Sequence, residues 1–440
     1  MDKSKNHIHF ALGVILNLIG AAALGMLLLF VVFMIPVSGI EEHVRNSAEL
    51  IRNEGTYPKV TKYATSQLDN FTDSIIMLAA ADRSEEYLRN RVVHVYYGLI
   101  DGLDRAEGLA AHYLDGAEFT REYDYARYWH GYMIFAKPMF SVFDYGTVRL
   151  INGIIQVLLV IVICILMFRC GVWQAIIPYI ITYLMLMPAA LAKSMQFSTC
   201  FYLMSLGVLG LTIMRSRVKN FAAASAFVFL NLGILTAYFD LLTYPMAVFG
   251  VPAVMYLIVA DDSPLRKFIG LVRAGILWCI GYGGMWIMKW ILGSLITGTN
   301  LFNNASSVFK ERTAATSSDG MEHYGIISSV RMNYAAFLKT PVTVVLLIFL
   351  VVMTVLILIK LFKRELSLPQ VIKKLAPYFI LSMAPVVWYI FARNHSAMHY
   401  WFTNKACVVT IFSAMCGVTE VIKMTKTSSS CIPRDSESEA

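Results

Sequence analysis

Charged residues are scarce in this sequence of 440 residues. Asp, Glu, Lys and Arg together make up 15% of it, whereas roughly 25% is usual for soluble domains. Hydrophobic residues make up 58%, the mean hydropathy is +0.61, and the apolar residues stand in long blocks. Because a single soluble core could not bury so much apolar surface, the composition predicts an all-α polytopic membrane protein.

Several signatures of soluble chemistry are also missing. The seven cysteines form no CxxC pair and no Cys/His metal spacing, which argues against a disulfide scaffold and a zinc site. No phosphate-binding glycine loop, nucleophile elbow or kinase signature appears, so a cytoplasmic nucleotide site is not expected. The net charge of +8 is spread in short clusters between apolar blocks, and the lack of a continuous basic stripe excludes a nucleic-acid partner.

About ten apolar blocks reach the length of about 20 residues that a helix needs to cross the hydrocarbon core. The first block is too long for the core of a signal peptide, so it is interpreted as a membrane anchor. The predicted spans are 10–36, 147–168, 172–190, 196–213, 220–238, 242–260, 268–292, 341–361, 375–392 and 400–422.

Lysine and arginine are concentrated in every second connection between these blocks, which is the pattern that sets membrane orientation. The opposite set of short connections has little beyond Lys193 and Arg393. We therefore predict a multi-pass protein of the cell membrane with both termini in the cytoplasm. The basic residues of the cytoplasmic set are Lys3, Lys5, Arg169, Arg215, Arg217, Lys219, Arg266, Lys267, Lys360, Lys363, Arg364, Lys373, Lys374, Lys423 and Lys426.

The predicted orientation divides the chain into six parts and sends two long segments to the outer face. Residues 37–146, an acidic helical loop, contain 17 acidic and 11 basic residues, a net charge of −6. Their first part, IEEHVRNSAELIRN, has helical apolar spacing and is predicted to lie along the membrane interface. The parts are 1–36 (N-terminus and first span), 37–146 (first external loop), 147–292 (spans 2–7), 293–340 (second external loop), 341–424 (spans 8–10) and 425–440 (disordered cytoplasmic tail).

Four polar clusters fall on the predicted outer side, and the first is LDNFTDSIIML (68–78). Asp69 and Asp73 are four residues apart, so in a helix they share a face beside an apolar run. Such a carboxylate pair can act as a general base or bind a divalent cation. Helix capping by Asp69 is an equally open alternative.

The second cluster, YDYARYWHGY, combines an acid, a base and aromatic rings just before the second span. Asp124, Arg127, Tyr128, Trp129 and His130 occur within seven residues. An interfacial aromatic belt with an arginine reaching to the interface is one interpretation. The presence of Asp124 and His130 among the rings favours the binding of a sugar or another ligand instead.

The remaining clusters are FDLLTYP and NHSAMHYWF. Asp240 in the first would be costly so close to hydrocarbon without a partner, and it is interpreted either as a site residue or as a helix cap. His395 and His399 in the second are four residues apart, which alone is weak support for a metal site. We prefer a site for an anionic phosphate, formed by His395, Arg393, Lys405, Lys193 and Lys289.

The segments LDNFTDSIIML, RYWHGY, FDLLTYP and NHSAMHYWF, together with the order of spans and loops, resemble integral-membrane glycosyltransferases of the GT-C fold. They are also similar to multi-spanning proteins of bacterial cell envelopes. The resemblance covers nearly the whole chain. It implies a catalytic carboxylate in the first external loop, which matches Asp69 or Asp73. A rival match is Asp124 with Arg127 and Tyr128, which follow the spacing of the family's Asp-Glu-x-Arg-Tyr string with Tyr125 in place of Glu.

The resemblance also implies a reaction. The donor would be a polyprenyl-phosphate-linked sugar, and the acceptor a glycan, lipid or protein of the envelope. A carboxylate would remove the proton of the acceptor hydroxyl, while Lys or Arg would stabilise the leaving phosphate. The resemblance specifies no cofactor with certainty, and a requirement for a divalent cation, Mg²⁺ or Mn²⁺, stays open because the family's adjacent acidic pair is missing here.

Two other functions are compatible with such a chain. A transporter or lipid or polysaccharide flippase would be equally apolar, but transport sites usually show charges at the midplane and repeated halves. Neither is evident in this sequence. A non-catalytic envelope protein that binds a partner through its loop is the third alternative.

Overall fold

A computed structural model describes residues 3–316 and 323–424, with side chains from Ile8 onward. The predicted disordered tail, 425–440, lies outside these residues. The described helices are α1 (Lys3–Phe33), α2 (Val37–Glu54), α3 (Asn70–Ala80), α4 (Leu88–His94), α5 (Arg105–Asp115), α6 (Met133–Phe140), α7 (Tyr145–Arg169), α8 (Ile176–Met185), α9 (Pro188–Lys193), α10 (Met195–Arg217), α11 (Phe221–Phe239), α12 (Pro245–Val259), α13 (Pro264–Thr297), α14 (Leu301–Thr313), α15 (Ile326–Leu338), α16 (Val342–Phe362), α17 (Leu368–Ser382), α18 (Ala384–Phe391), α19 (Arg393–Met398), α20 (Tyr400–Thr403) and α21 (Val408–Ile422).

Eight stretches in the described part of the chain are long and apolar enough to cross a membrane, which makes this an all-α polytopic membrane protein. They coincide with eight of the ten predicted spans. The other two predicted spans, 172–190 and 242–260, correspond to the shorter apolar helices Trp173–Met185 and Pro245–Val259. The eight are Ile8–Phe33, Tyr145–Arg169, Met195–Arg217, Phe221–Phe239, Pro264–Thr297, Val342–Phe362, Leu368–Phe391 and Tyr400–Ile422.

The spanning helices differ in how much of their surface other helices cover. In the most apolar 18-residue stretch of α16 only 11% is buried, whereas 78% is buried in the corresponding stretch of the last span, from α20 to α21. Most exposed residues of α16 are Val, Leu and Ile, which lipid chains accommodate without cost. The last span is therefore central in the bundle, and α16 is peripheral.

Helices α11 and α13 cross at very short range through two glycines. A Cβ on Gly233 would lie 2.2 Å from the carbonyl oxygen of Trp278, and a Cβ on Gly281 would lie 2.2 Å from that of Leu230. Small residues at such crossings let the backbones of membrane helices approach closely. This crossing fixes the rotation of α13, which carries most of one wall of the groove described below.

Residues 37–144, here called the loop domain, form a compact unit of short helices. It contains α2 to α6 and an antiparallel ribbon of two strands, β1 (Tyr97–Leu99) and β2 (Arg121–Tyr123), with Tyr97 opposite Tyr123. The prediction that 40–53 is an amphipathic helix is confirmed by α2. Its predicted place along the interface is wrong, because Ile40, Val44 and Ile51 are fully buried against other protein elements.

Candidate functional site

Asp69 acts as the N-cap of α3. Its carboxylate accepts hydrogen bonds from the backbone N–H of Thr72 at 3.1 Å and from the Thr72 hydroxyl at 2.9 Å, and the residue is 3% exposed. Burial raises the pKa of Asp69 to about 7, against the lowering effect of the hydrogen bonds from Thr72. The capping alternative is thus the one observed, and the carboxylate does not line the groove.

Asp73 ties the loop domain to the beginning of α10. Its carboxylate accepts hydrogen bonds from the Tyr145 hydroxyl and from the backbone N–H groups of Met195 and Gln196, both at 3.2 Å. Because those N–H groups have no partner within the helix, the acid satisfies an exposed helix end. Burial raises the pKa of Asp73 to about 6, although the bond from Tyr145 and the charge of Arg149 lower it. The predicted carboxylate pair is therefore divided between two capping roles.

Asp124 is the most accessible of the three predicted catalytic acids, with 53% of its side chain exposed. It does not line the groove itself, but it lies three residues before Arg127, which does. One carboxylate oxygen lies 2.9 Å from Nδ1 of His94, and the other accepts a hydrogen bond from the N–H of Ala126. Burial raises the pKa of Asp124, but the hydrogen bond and charge of His94 outweigh it, so the net shift is downward. The sequence did not single out His94, which lies 30 residues away in the chain.

The RYWHGY segment is divided between the protein core and the groove. Trp129 is fully buried and donates from Nε1 to the carbonyl of Met285 at 2.7 Å. His130 is also buried, and its two nitrogens bond the Tyr125 carbonyl and the Tyr132 hydroxyl, each at 2.7 Å. Burial lowers the pKa of His130 to about 3, so the ring is neutral. Of the predicted ligand-binding residues in this segment, only Arg127 and Tyr128 line the groove.

Lys289 and Lys405 do not form the predicted phosphate site. Both are fully buried. Nζ of Lys289 donates to the carbonyl of Val93 near the end of α4, and Nζ of Lys405 donates to the carbonyl of Thr65, each at 2.7 Å. The loop domain is thereby attached to the spanning helices by lysines that bond the negative ends of short helical segments. Lys193 is exposed at the end of α9.

The turn after α11 positions His395 through a hydrogen bond to the backbone of the turn. Asp240 accepts hydrogen bonds from the N–H and the hydroxyl of Thr243 and is 3% exposed, so burial raises its pKa to about 7. In the turn closed by these bonds, Leu242 has a φ of 64°. The Leu242 carbonyl then accepts a hydrogen bond of 2.7 Å from Nε2 of His395. The predicted helix cap is wrong, because Asp240 bonds Thr243 within the turn, while Tyr244, the N-cap of α12, has no side-chain cap. Asp240 instead stabilises this turn and orients His395 indirectly.

His395 and His399 meet through an arginine that the sequence did not single out. Arg312 on α14 lies 3.3 Å from Nδ1 of His395 and 3.1 Å from Nε2 of His399. Burial and the charge of Arg312 lower the pKa of His399 to about 3, and burial, His399 and Arg312 lower that of His395 well below its usual value. The neutral rings thus accept hydrogen bonds from the guanidinium. Arg393 is half-buried and does not line the groove.

Arg127 and Arg312 stand at one end of a groove with a volume of about 670 Å³. Arg127 stacks on the rings of Tyr125 and Tyr128, at 4.6 and 5.1 Å from their centroids. Neither arginine forms an ion pair with a carboxylate in residues 3–316 and 323–424. This place is called the arginine end of the groove. Its other walls are formed by α12, α13, α14 and α18.

An aromatic stripe runs along α13 from the arginine end into the bundle. It consists of Trp278, Tyr282, Trp286 and Trp290, spaced four residues apart, with successive ring centroids 4.9, 6.3 and 6.2 Å apart. From Gly275 to Trp290 the lining extends over about 22 Å at the helical rise of 1.5 Å per residue. The four-residue spacing is visible in the sequence, but it is equally typical of a packed helix face.

A second row of residues on α13 that lines the groove consists of small side chains. Gly275, Cys279 and Gly283 line the groove beside the stripe, and no atom lies within 4 Å of a Cβ built on Gly283. Cys279, Ile287 and Phe391 are exposed on the outer surface of the bundle. The groove is therefore open sideways, toward the region that lipid chains would occupy.

A metal centre has no counterpart in the described part of the protein. Among residues 3–316 and 323–424, no three or more His, Cys, Asp or Glu side chains lie close enough together to hold an ion.

Comparison with models of known families, with curated proteins and with solved structures found no match for this chain. The site must therefore be interpreted from its own geometry.

Proposed function

We propose that this protein is a GT-C-type membrane glycosyltransferase that takes a polyprenyl-phosphate-linked sugar into the groove. The observation that carries the proposal is the combination of a long apolar groove with two arginines, Arg127 and Arg312, that lack a carboxylate partner. A prenyl chain fits the apolar groove, and a phosphate fits its arginine end. The proposal retains the predicted ten spans, cytoplasmic termini and outer-face site.

The arginine end suits a phosphate for a physical reason. A guanidinium presents several donors in one plane and binds phosphate oxygens in pairs. Neutral histidines hold Arg312 in place without compensating its charge, and tyrosine rings support Arg127 in the same way. Both cations therefore keep their full charge for a ligand, in a place where little water screens it.

In the proposed reaction, Asp124 is the general base. Its carboxylate removes the proton from the acceptor hydroxyl, whose oxygen then attacks the anomeric carbon of the sugar. The bond from that carbon to the phosphate oxygen breaks, and the electron pair leaves with the polyprenyl phosphate. Arg127 and Arg312 stabilise the charge that develops on the leaving group. His94 orients Asp124 through the 2.9 Å contact.

The test is a transfer assay with the full chain in lipid nanodiscs and a polyprenyl-phosphate sugar labelled in the sugar. Asp124→Asn is expected to lower the rate of transfer by about 10² to 10⁴, the usual range for a lost general base. The Asn side chain can still accept the Ala126 N–H bond, so the fold is retained. Asp115→Asn, which alters another exposed acid of the loop domain, is the matched control and is expected to transfer normally.

A lipid transporter is the second candidate, because the groove is open toward the lipid at Cys279, Ile287 and Phe391. The same nanodisc preparation, moved into vesicles, separates the two functions. Movement of the labelled lipid between leaflets without any glycan product would favour transport. Unchanged sugar transfer by Asp124→Asn would reject the assignment of the base.

A further inference from the structure

A second cavity lies at the end of the bundle opposite the arginine end. Its volume is about 520 Å³, and it lies between the beginnings of α13 and α17. Helix α13 begins at Pro264 and contacts the loop domain through Lys289, about 38 Å away at 1.5 Å per residue. The cavity is thus on the other membrane face from the loop domain, and the groove does not explain it.

Basic residues predominate in this cavity. Lys267, Lys373 and Lys374 line it together with a single acid, Asp262. Lys374 is neutralised by Glu420 at 2.8 Å, and Asp262 is neutralised by Arg266 at 3.3 Å. Lys267 donates only to the carbonyl of Leu257 at 3.0 Å.

The exposed Lys373 forms no ion pair with the carboxylates of the described residues. Two positive charges, those of Lys267 and Lys373, therefore remain without a carboxylate partner in the cavity. An anion would neutralise them.

The rim of the cavity is apolar and faces outward from the bundle. Phe268 is 40% exposed and Ile380 is 50% exposed, and both line the cavity. In a membrane, these side chains lie against acyl chains. A soluble phosphate ion would have no use for such a rim, whereas a phospholipid places its headgroup at the lysines and its chains along the rim.

We propose that this cavity is a binding site for an anionic glycerophospholipid of the leaflet opposite the loop domain, with its phosphate between Lys267 and Lys373 and its acyl chains against Phe268 and Ile380. Basic cavities between membrane helices are a recognised way of binding anionic headgroups. The site is independent of the groove and of the proposed transfer reaction.

The experiment is native mass spectrometry of the full chain, released from detergent containing equal amounts of phosphatidylglycerol and phosphatidylcholine. The wild type is expected to retain phosphatidylglycerol preferentially. Lys267→Gln and Lys373→Gln are each expected to lower its retention by about fivefold.

The control is Lys363→Gln, an exposed lysine next to α16 that does not line the cavity. An equal loss of lipid in this variant would overturn the proposal, because it would indicate general surface charge. Displacement of the lipid by millimolar inorganic phosphate alone would also overturn it, because the site would then select a phosphate ion. If one lysine variant fails to fold, the other still decides, because each is expected to lower retention on its own.

Discussion

Two groups of buried or half-buried cations in this protein differ in what holds them. Lys137, Lys289 and Lys405 each donate to a backbone carbonyl of the loop domain at 2.7 Å. Arg127 and Arg312 are supported by aromatic rings and neutral imidazoles instead. The lysines thus attach one part of the protein to another, whereas the arginines keep donors and charge for a ligand. A buried cation indicates a binding site only when its surroundings leave the charge uncompensated.

The largest effect is expected from the loss of both groove arginines, which should weaken ligand binding. Arg127→Gln together with Arg312→Gln is expected to weaken the binding of farnesyl phosphate by about a hundredfold or more, since hydrogen bonds to charged groups are worth about 1.5–3 kcal/mol each. The groove contains Trp286 and Trp290, so a titration of tryptophan fluorescence measures the affinity. Arg121→Gln alters an exposed arginine paired with Asp101 and should bind normally. Equal affinity in the double variant would contradict the proposed phosphate site.

Substitution of a buried lysine that donates to a backbone carbonyl is expected to lower stability without weakening ligand binding. Lys289→Met leaves the Val93 carbonyl without its partner and is expected to lower the free energy of unfolding by about 1–3 kcal/mol. Thermal unfolding in detergent measures it, with the exposed Lys59→Met as control. Weak binding of farnesyl phosphate by a normally stable Lys289→Met protein would remove the distinction between the two groups.

Two glycines of α13, Gly281 and Gly283, allow the effect of filling the groove to be compared with the effect of disturbing helix packing. Gly283→Leu places a side chain where no atom lies within 4 Å. It is expected to lower the affinity for farnesyl phosphate by about tenfold, because it displaces roughly two methylenes of about 0.8 kcal/mol each. Gly281→Ala should instead destabilise the protein, since its Cβ would meet the Leu230 carbonyl at 2.2 Å. Normal binding by Gly283→Leu together with weakened binding by Gly281→Ala would show that the ligand does not occupy the space beside Gly283.

The smallest effect concerns the capping acids of the loop domain. In the folded protein the Asp69 carboxyl keeps its proton up to about pH 7, whereas an unfolded chain releases it near about pH 3.9. Its contribution to stability is therefore present at low pH and lost as the pH rises through about 7. Between about pH 6.5 and 7.5 the change is less than about 1 kcal/mol.

Asp69→Asn should reduce this slope of stability with pH, as measured by thermal unfolding across the same interval. Glu85→Gln, an exposed acid, should not alter it. A slope that is unchanged in Asp69→Asn would show that Asp69 is ionised throughout.

The membrane character and most helix positions could be predicted because hydrophobic length is a property of a continuous stretch of chain. All ten predicted spans coincide with apolar helices, and two of these are shorter than a usual span. The capping alternative for Asp69 was also accessible, since a cap and its first helical N–H groups are neighbours in sequence. His395 and His399, four residues apart in the chain, have ring centroids 4.9 Å apart.

The sequence alone thus determined that the chain forms apolar helices, along which stretches of the chain they lie, and which short segments carry polar side chains. Only the tertiary structure decided which charges are compensated, because the partners come from distant parts of the chain. Arg312 and His395 are 83 residues apart, and Lys405 reaches a carbonyl 340 residues earlier. Whether a buried cation meets a carbonyl or a neutral ring depends on the crossing of helices, which local pattern does not encode.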